Sequence, residues 1–183
     1  MIPQMHVEDP LHVMRGEFLP EAVYAQAIAS FIIVCTDAII LTPGHRTLAL
    51  VRRQALPMRG LWCIGGRRFA GERAEASMRR CFRRETGLDL PEDRFTFLHI
   101  VEYRWKNRQQ EPQGAGSHDL SYQFTVSLDP DERAHAVAHL DPNEYDRSFG
   151  IRDFTRAQLI VAGAHYGVLD WYDAVFPGHD HRP

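Results

Sequence analysis

The chain has 183 residues, with 21 basic and 24 acidic side chains and a formal net charge of −3 at pH 7. Its composition, 44% hydrophobic and 25% charged, is typical of a globular domain and argues against a disordered or membrane-spanning chain. The near-neutral balance also argues against a uniformly basic surface for nucleic acid. Residues 52–94 nevertheless carry 11 Arg against 6 acids. This excess predicts a local anion site, because a guanidinium can bind a phosphate or carboxylate through two hydrogen bonds.

The cysteines and the apolar runs bear on the cellular compartment of the protein. Three cysteines, an odd number and far apart in the chain, argue against a disulfide framework and favour a reducing cytoplasm. The longest apolar run, residues 31–41, is too short to span a bilayer. We therefore predict a cytoplasmic protein with neither a membrane nor a nucleic-acid partner. The length predicts one domain, over residues 21–176, with an N-terminal arm over 1–20 and a disordered C-terminal tail over 177–183.

The hydrophobic pattern predicts alternating strands and helices along the chain. In chain order it predicts a short helix from Pro20, strands over 31–41 and 47–53, a short strand over 61–64 that ends at the glycine pair 65–66, a helix over 73–86, strands over 95–105 and 119–128, and helices over 153–165 and 168–176. Residues 106–117 are polar, contain two Gly and one Pro, and predict a loop. Mixed strands and helices without an internal repeat indicate a single α/β domain.

The segment from the glycine pair through the helix over 73–86 contains the residues most typical of a reactive site. Cys81 and Glu85 are four residues apart and share a helix face, as do Arg80 and Arg84. A glycine pair lets backbone approach a ligand closely. A carboxylate near arginines and open backbone predicts a pocket for Mg²⁺ and a polyphosphate, because Mg²⁺ takes one or two protein carboxylates and completes its shell with water and phosphate oxygens. The alternative is an amphipathic surface helix with solvated charges.

The same segment resembles the Nudix box, G-x5-E-x7-R-E-U-x-E-E-x-G-U, in which U is aliphatic. The matching fixed positions are Gly66, Glu72, Arg80, Glu85 and Gly87. The resemblance covers roughly residues 28–165. It implies an α/β/α sandwich with a mixed central sheet in a single domain, and Mg²⁺ as the cofactor.

Two positions depart from the box. Cys81 and Arg84 stand where the family has glutamates that help to hold several Mg²⁺ ions. A positive Arg84 beside Glu85 would repel further divalent cations. The GDP-mannose mannosyl hydrolase branch of the family is similar in lacking both acids, and it is implied to cleave the sugar carbon–oxygen bond. The arginine pair at 52–53 and the segment 116–121 are also similar to that branch.

The resemblance implies roles for nine residues, and three others compete for one of these roles. The implied metal ligands are Glu85, the Gly66 carbonyl and Asn143. The implied diphosphate-binding residues are Arg53, Arg67, Arg80 and Arg84, of which Arg67 and Arg80 also count as catalytic. Glu144 is the implied base for water, Asp119 is an implied substrate contact, and His118, Asp119, His139 and Asp141 compete with Glu144.

Three functions remain open at this stage. The first is an Mg²⁺-dependent hydrolase of a nucleoside diphosphate sugar, similar to GDP-mannose, that releases the nucleoside diphosphate and free sugar. The second cleaves the pyrophosphate and gives a nucleoside monophosphate and a sugar phosphate. The third is a catalytically inactive module that only binds a nucleotide. The resemblance leaves a homodimer open.

Overall fold

The computed structural model describes residues 2, 4–9, 11–14 and 16–178, so most of the predicted disordered tail lies outside the described residues. The helices are α1 (Glu21–Ser30), α2 (Ala74–Thr86), α3 (Pro130–His139), α4 (Arg156–Val161) and α5 (Tyr166–Val175). The strands are β1 (Ile33–Leu41), β2 (Leu48–Arg53), β3 (Gly60–Trp62), β4 (Ile64–Arg67), β5 (Thr96–Trp105), β6 (Ser117–Ser127) and β7 (Arg152–Phe154). Within the described ranges, no helix has the length and apolar character needed to cross a bilayer.

The strands form one mixed sheet around β1. The main order is β3-β2-β1-β6-β5, with β4 also paired to β1 and β7 to β2. β1 and β6 run parallel from the Ile33–Asp119 pair to the Leu41–Ser127 pair. β4 lies antiparallel on the other edge of β1. The β-branched residues of β1 suit this central position, because they pack well on a pleated surface covered on both faces.

Helices cover both faces of the sheet. Alternate side chains of a strand point to opposite faces, and successive residues of β1 accordingly enter different cores. Ile40 packs in a cluster with Phe82 of α2, whereas Ile39 packs in a second cluster with Trp171 of α5. The predicted single-domain α/β/α sandwich with a mixed central sheet is confirmed.

The glycine pair does not end a strand as predicted. β4 runs through it, with Gly65 opposite Asp37 and Gly66 opposite Thr36 in the ladder to β1. A Cβ at residue 65 would lie 2.0 Å from a carboxylate oxygen of Asp37. Glycine is required here because neighbouring atoms fill the space of a side chain, not because the chain turns.

Two elements in the C-terminal half were not predicted. α3 begins at a capping box in which Asp129 and Glu132 exchange side-chain and backbone hydrogen bonds, with Pro130 in the first turn. The segment 153–165, predicted as one helix, contains the end of β7 followed by the short helix α4. The predicted helix over 73–86 agrees with α2, which ends at Gly87 with a left-handed φ of 73°.

Candidate active site

The loop between β4 and α2 is fixed by an ion pair. Arg80 of α2 donates to both carboxylate oxygens of Glu72, at 2.5 and 2.8 Å, and to the backbone carbonyl of Arg67 at 2.9 Å. Glu72 also accepts the backbone N–H of Phe69 at 2.9 Å. Burial alone would raise the pKa of Glu72, but the hydrogen bonds from Arg80 and Phe69 outweigh it and lower that pKa overall. The pair therefore positions the glycine-containing strand against α2.

Replacing Glu72 by Gln is expected to lower the free energy of unfolding by roughly 1–3 kcal/mol, the cost of removing a charge-assisted hydrogen-bond partner. Because the folded-state pKa of Glu72 is depressed, this stabilisation is present above the ordinary pKa and is lost as the pH falls through the folded value. Urea unfolding at pH 7 and at pH 4 measures both effects. Glu75→Gln, in the first turn of α2, is the control, and an equal loss in both variants would contradict the role of the pair.

Arg84 and Glu85 form an internal ion pair at the end of α2. The Arg84 guanidinium donates through Nε at 2.8 Å to Oε1 of Glu85, and Nη2 donates to the same oxygen. The Glu85 side chain is 1% exposed, and its Oε2 is buried without a hydrogen-bond partner. Burial raises the pKa of Glu85 in spite of the Arg84 charge. A buried carboxylate needs a compensating charge, and Arg84 supplies it.

A cavity of about 370 Å³ opens beside this pair. Its volume is within the range of roughly 300–1,000 Å³ that holds small-molecule ligands. Four guanidinium groups and three carboxyl groups line it, together with aromatic side chains. The charged residues are Arg53, Arg67, Arg84, Arg108, Asp37, Asp119 and Glu144, and the aromatic ones include Trp62, Tyr103 and Trp105.

Arg53 connects the sheet to the loop that carries Glu144. Its Nε and Nη2 donate to one carboxylate oxygen of Glu144 at 3.2 and 3.1 Å, and Nη2 also reaches the carbonyl of Leu56 at 3.3 Å. The backbone N–H of Gln54 donates to the carbonyl of Glu144 at 2.8 Å. Glu144 thus lines the cavity, and its carboxylate is held by Arg53.

Arg67 lies among aromatic rings contributed by the N-terminal segment, by α1 and by the loop between β4 and α2. Its guanidinium carbon is 4.3 Å from the ring centre of Tyr24, 5.4 Å from that of Phe69 and 5.6 Å from that of Phe18. Such contacts orient a cation without neutralising its charge. Arg67 therefore remains available to an anion at the edge of the cavity.

Asp37 and Asp119 are the acids with the most altered environment. They lie on the neighbouring parallel strands β1 and β6, and Ser121 donates its hydroxyl to Asp37. Burial raises the pKa of each carboxyl to about 6, and the charge of Asp119 contributes to the rise at Asp37. The Arg53 charge opposes the rise at both, and a hydrogen bond from Trp105 also opposes it at Asp119. A carboxyl with a pKa near neutrality, located in a cleft, is suited to proton transfer.

The structure brings most of the predicted site residues together and leaves two apart. Arg80 is paired with Glu72 and does not line the cavity. Asn143 is exposed, and its side chain donates to Asp141 at 3.0 Å outside the cavity lining. Among the predicted residues, the cavity is lined by Arg53, Gly66, Arg67, Arg84, Asp119 and Glu144, and Glu85 is reached through Arg84.

Asp37 was not predicted as a site residue. Its signal was present in the sequence, because it is the one charged residue in the apolar run 31–41. A carboxyl in a buried strand needs a partner or a cavity. Trp62 is buried and also lines the cavity.

Comparison with known proteins identifies the family. The family model of the NUDIX domain matches residues 33–172. The chain belongs to the Nudix hydrolase family. A MutT NUDIX hydrolase from Burkholderia pseudomallei is 19% identical with a TM-score of 0.59, and the match covers 80% of this chain and all of that one. No curated protein sequence matches the chain.

Two further Nudix structures have the same fold and hold nucleotides. The NUDIX domain of Shewanella oneidensis NrtR, complexed with ADP ribose, is 17% identical with a TM-score of 0.52, and the match covers 86% of this chain and 97% of that one. A bifunctional NMN adenylyltransferase/ADP ribose pyrophosphatase from Francisella tularensis, complexed with AMP and a Mn ion, is 16% identical with a TM-score of 0.51. That match covers 82% of this chain and 43% of the longer enzyme.

Nudix hydrolases generally use divalent metal ions, but the donor set of this Nudix box does not fit one. Asn143 is bonded to Asp141 and lies outside the cavity that Gly66 lines. Arg84 holds one oxygen of Glu85. Within the described part of the chain, no group of three or more His, Cys, Asp or Glu could hold a metal ion. The predicted Mg²⁺ site is therefore not assembled by the residues predicted for it.

Proposed function

We propose that the chain hydrolyses a nucleoside diphosphate sugar at the anomeric carbon and releases the nucleoside diphosphate and the free sugar. The observation that carries this proposal is the cavity in which Arg53, Arg67 and Arg84 lie together with carboxyls that can accept a proton. Arginine recognises a diphosphate through paired hydrogen bonds.

The arginines would stabilise the leaving group. When the bond between the anomeric carbon and the β-phosphate oxygen breaks, the electron pair and the negative charge remain on the diphosphate. Positioned cations stabilise such developing charge more than they stabilise the bound substrate. A diphosphate is also a weak base, so it can leave without receiving a proton. Arg53 is hydrogen-bonded to Glu144, whereas Arg67 and Arg84 are free of that contact. We therefore assign the stabilisation of the leaving group primarily to Arg67 and Arg84.

Asp119 would act as the base. Its carboxylate accepts a proton from water, and the water oxygen forms the new bond to the anomeric carbon. Glu144, the base implied by the resemblance, lies in the same cavity, but its Oε2 accepts two hydrogen bonds from Arg53. Because a pKa of about 6 suits a base acting near neutrality, Asp119 is favoured over Glu144.

The aromatic wall would receive the nucleobase. Trp105 is half-buried in the cavity lining and stacks on Tyr103, with ring centres 5.1 Å apart and planes 21° apart. A flat heteroaromatic base can stack on such a ring whatever its pattern of hydrogen-bond donors and acceptors. The identity of the base and of the sugar is therefore left to specificity measurements, with GDP-mannose as the first substrate to test.

Product analysis tests this function. ³¹P NMR of a reaction with GDP-mannose is expected to show GDP as the only phosphorus product. Appearance of GMP and mannose 1-phosphate would instead establish pyrophosphate cleavage and contradict the proposal. A reaction without enzyme and one with heat-inactivated protein are the controls.

A nucleotide-binding module is the second candidate. The observation that favours it is that Glu85, the glutamate that remains where positions 81 and 84 have lost theirs, is already paired within the protein. No turnover across a panel of nucleotide sugars, together with a higher Tm in the presence of a nucleotide, would establish it. The cytoplasmic location, the homodimer and the lack of nucleic-acid and membrane partners stay predictions.

A further inference from the structure

The two altered positions of the Nudix box, 81 and 84, meet at Gly66 of β4. A Cβ built on Gly66 would lie 2.8 Å from Nη2 of Arg84 and 3.2 Å from Sγ of Cys81. The side chains at positions 81 and 84 therefore converge on one backbone segment, next to Glu85. In the family's pattern both positions carry glutamate, so the place where acids would gather holds a thiol and a guanidinium.

The guanidinium is held there from one side and open on the other. Glu85 accepts its hydrogen bonds from a buried position with 1% exposure, whereas 37% of the Arg84 side chain is exposed. Arg84 also lines the cavity. One cation thus neutralises the buried carboxylate and faces the space in which an anionic ligand would bind.

A divalent ion and this guanidinium exclude each other. Like charges a few ångströms apart repel strongly inside a protein, where the effective dielectric is well below that of water. Two hydrogen bonds from Arg84 already occupy Oε1 of Glu85, so that oxygen is not open to an ion. Glu85 Oε2, the remaining oxygen, is buried and has no second carboxylate donor supplied by positions 81 and 84.

We propose that Arg84 is the built-in cation of this site, so that a nucleoside diphosphate binds without a divalent metal ion. This inference rests on the diphosphate site of the proposed function. Arg84 supplies the charge that a metal ion would otherwise supply, and nucleotide binding is therefore insensitive to chelators. Acids restored at positions 81 and 84 would create a metal site.

The first test uses the metal alone. Titration of the wild-type protein with Mn²⁺, followed by electron paramagnetic resonance, is expected to show no stoichiometric site. The Cys81→Glu/Arg84→Glu double variant is expected to gain one. Stoichiometric Mn²⁺ binding by the wild type would overturn the inference, as would failure of the folded double variant to bind Mn²⁺. Circular dichroism and Tm establish that the variant is folded.

The second test uses GDP and does not depend on the double variant folding. By isothermal titration calorimetry, the Kd of the wild type for GDP is expected to change less than about twofold between EDTA and Mg²⁺, since no ion site has to be filled. Arg84→Gln is expected to weaken binding by roughly 10- to 100-fold, the loss of charge-assisted hydrogen bonds. Arg83→Gln, whose exposed guanidinium lies 3.7 Å from Asp89, is the matched control and should bind like the wild type.

The outcomes separate the inference from the proposed function. Loss of wild-type GDP binding in EDTA, or an unchanged Kd in Arg84→Gln, would overturn the role of Arg84. Failure of the wild type to bind GDP under either condition would overturn the nucleotide part of the inference and the proposed function together. The Mn²⁺ titration would then still decide whether Arg84 has replaced the metal.

Discussion

Asp119→Asn is expected to lower kcat by roughly 100- to 10,000-fold, the range over which a positioned general base contributes. Asn is nearly isosteric and cannot accept the proton from water. The Kd for GDP should change little, because the arginines bind the diphosphate. Steady-state kinetics with the nucleotide sugar, together with calorimetric titration of GDP, measure the two effects separately.

The pH profile gives the same prediction a second readout. Burial raises the pKa of Asp119 to about 6, and only the ionised carboxylate is a base. kcat/KM of the wild type is therefore expected to fall as the pH decreases through about 6 and to level off above it. The residual activity of Asp119→Asn should lack that limb.

Glu144→Gln decides between the two candidate bases. If Glu144 were the base, this variant would lose as much kcat as predicted for Asp119→Asn, and Asp119→Asn would keep most of its activity. Glu102→Gln, an exposed carboxyl on β5, is the control for general charge effects. Asp119→Asn should be no less stable than the wild type at pH 7, because the substitution removes a charge that burial disfavours.

Trp171→Ala is expected to lower the free energy of unfolding by roughly 3–5 kcal/mol, the usual cost of truncating a fully buried aromatic side chain. Trp171 of α5 is 0% exposed. Its ring centre lies 4.4 Å from that of Trp62, and its indole N–H donates to the Tyr103 hydroxyl at 3.0 Å. Both partners line the cavity, so the loss should also raise KM.

Trp171→Phe is the matched variant for this prediction. It keeps most of the apolar volume and loses the hydrogen bond, so we expect a cost of roughly 1–2 kcal/mol. Urea unfolding of both variants measures the difference. Equal losses would show that the hydrogen bond to Tyr103, and not the packing, dominates at this position. A loss below about 1 kcal/mol in Trp171→Ala would contradict the supporting role of α5.

Patterns within short segments were sufficient for most of the fold. The periodicity of α2 and its terminal Gly87, and the β-branched residues of β1, each specify their element locally. The sequence predicts a strand end at the glycine pair, whereas Gly65 is required by its close approach to Asp37. That contact joins residues of two different strands, so no local pattern shows it. α3 was missed because its hydrophobic periodicity is weak, although its capping box was visible in the sequence.

The positions of the Nudix box can be identified from the sequence, whereas the contacts between individual side chains cannot. Gly66, Arg84 and Glu85, all positions of the box, lie beside one another. Spacing could not show that Arg80 is used by Glu72, or that Asn143 points away, since both depend on how a side chain is oriented. Asp37 entered the cavity through the register of β1 with β6, which no local pattern specifies.

The most direct test of the central claim is hydrolysis of GDP-mannose in ¹⁸O-water, with mass spectrometry of both products. Attack of water at the anomeric carbon predicts the label in the released mannose and none in GDP. Label in any phosphate-containing product would show attack at phosphorus and would contradict the account.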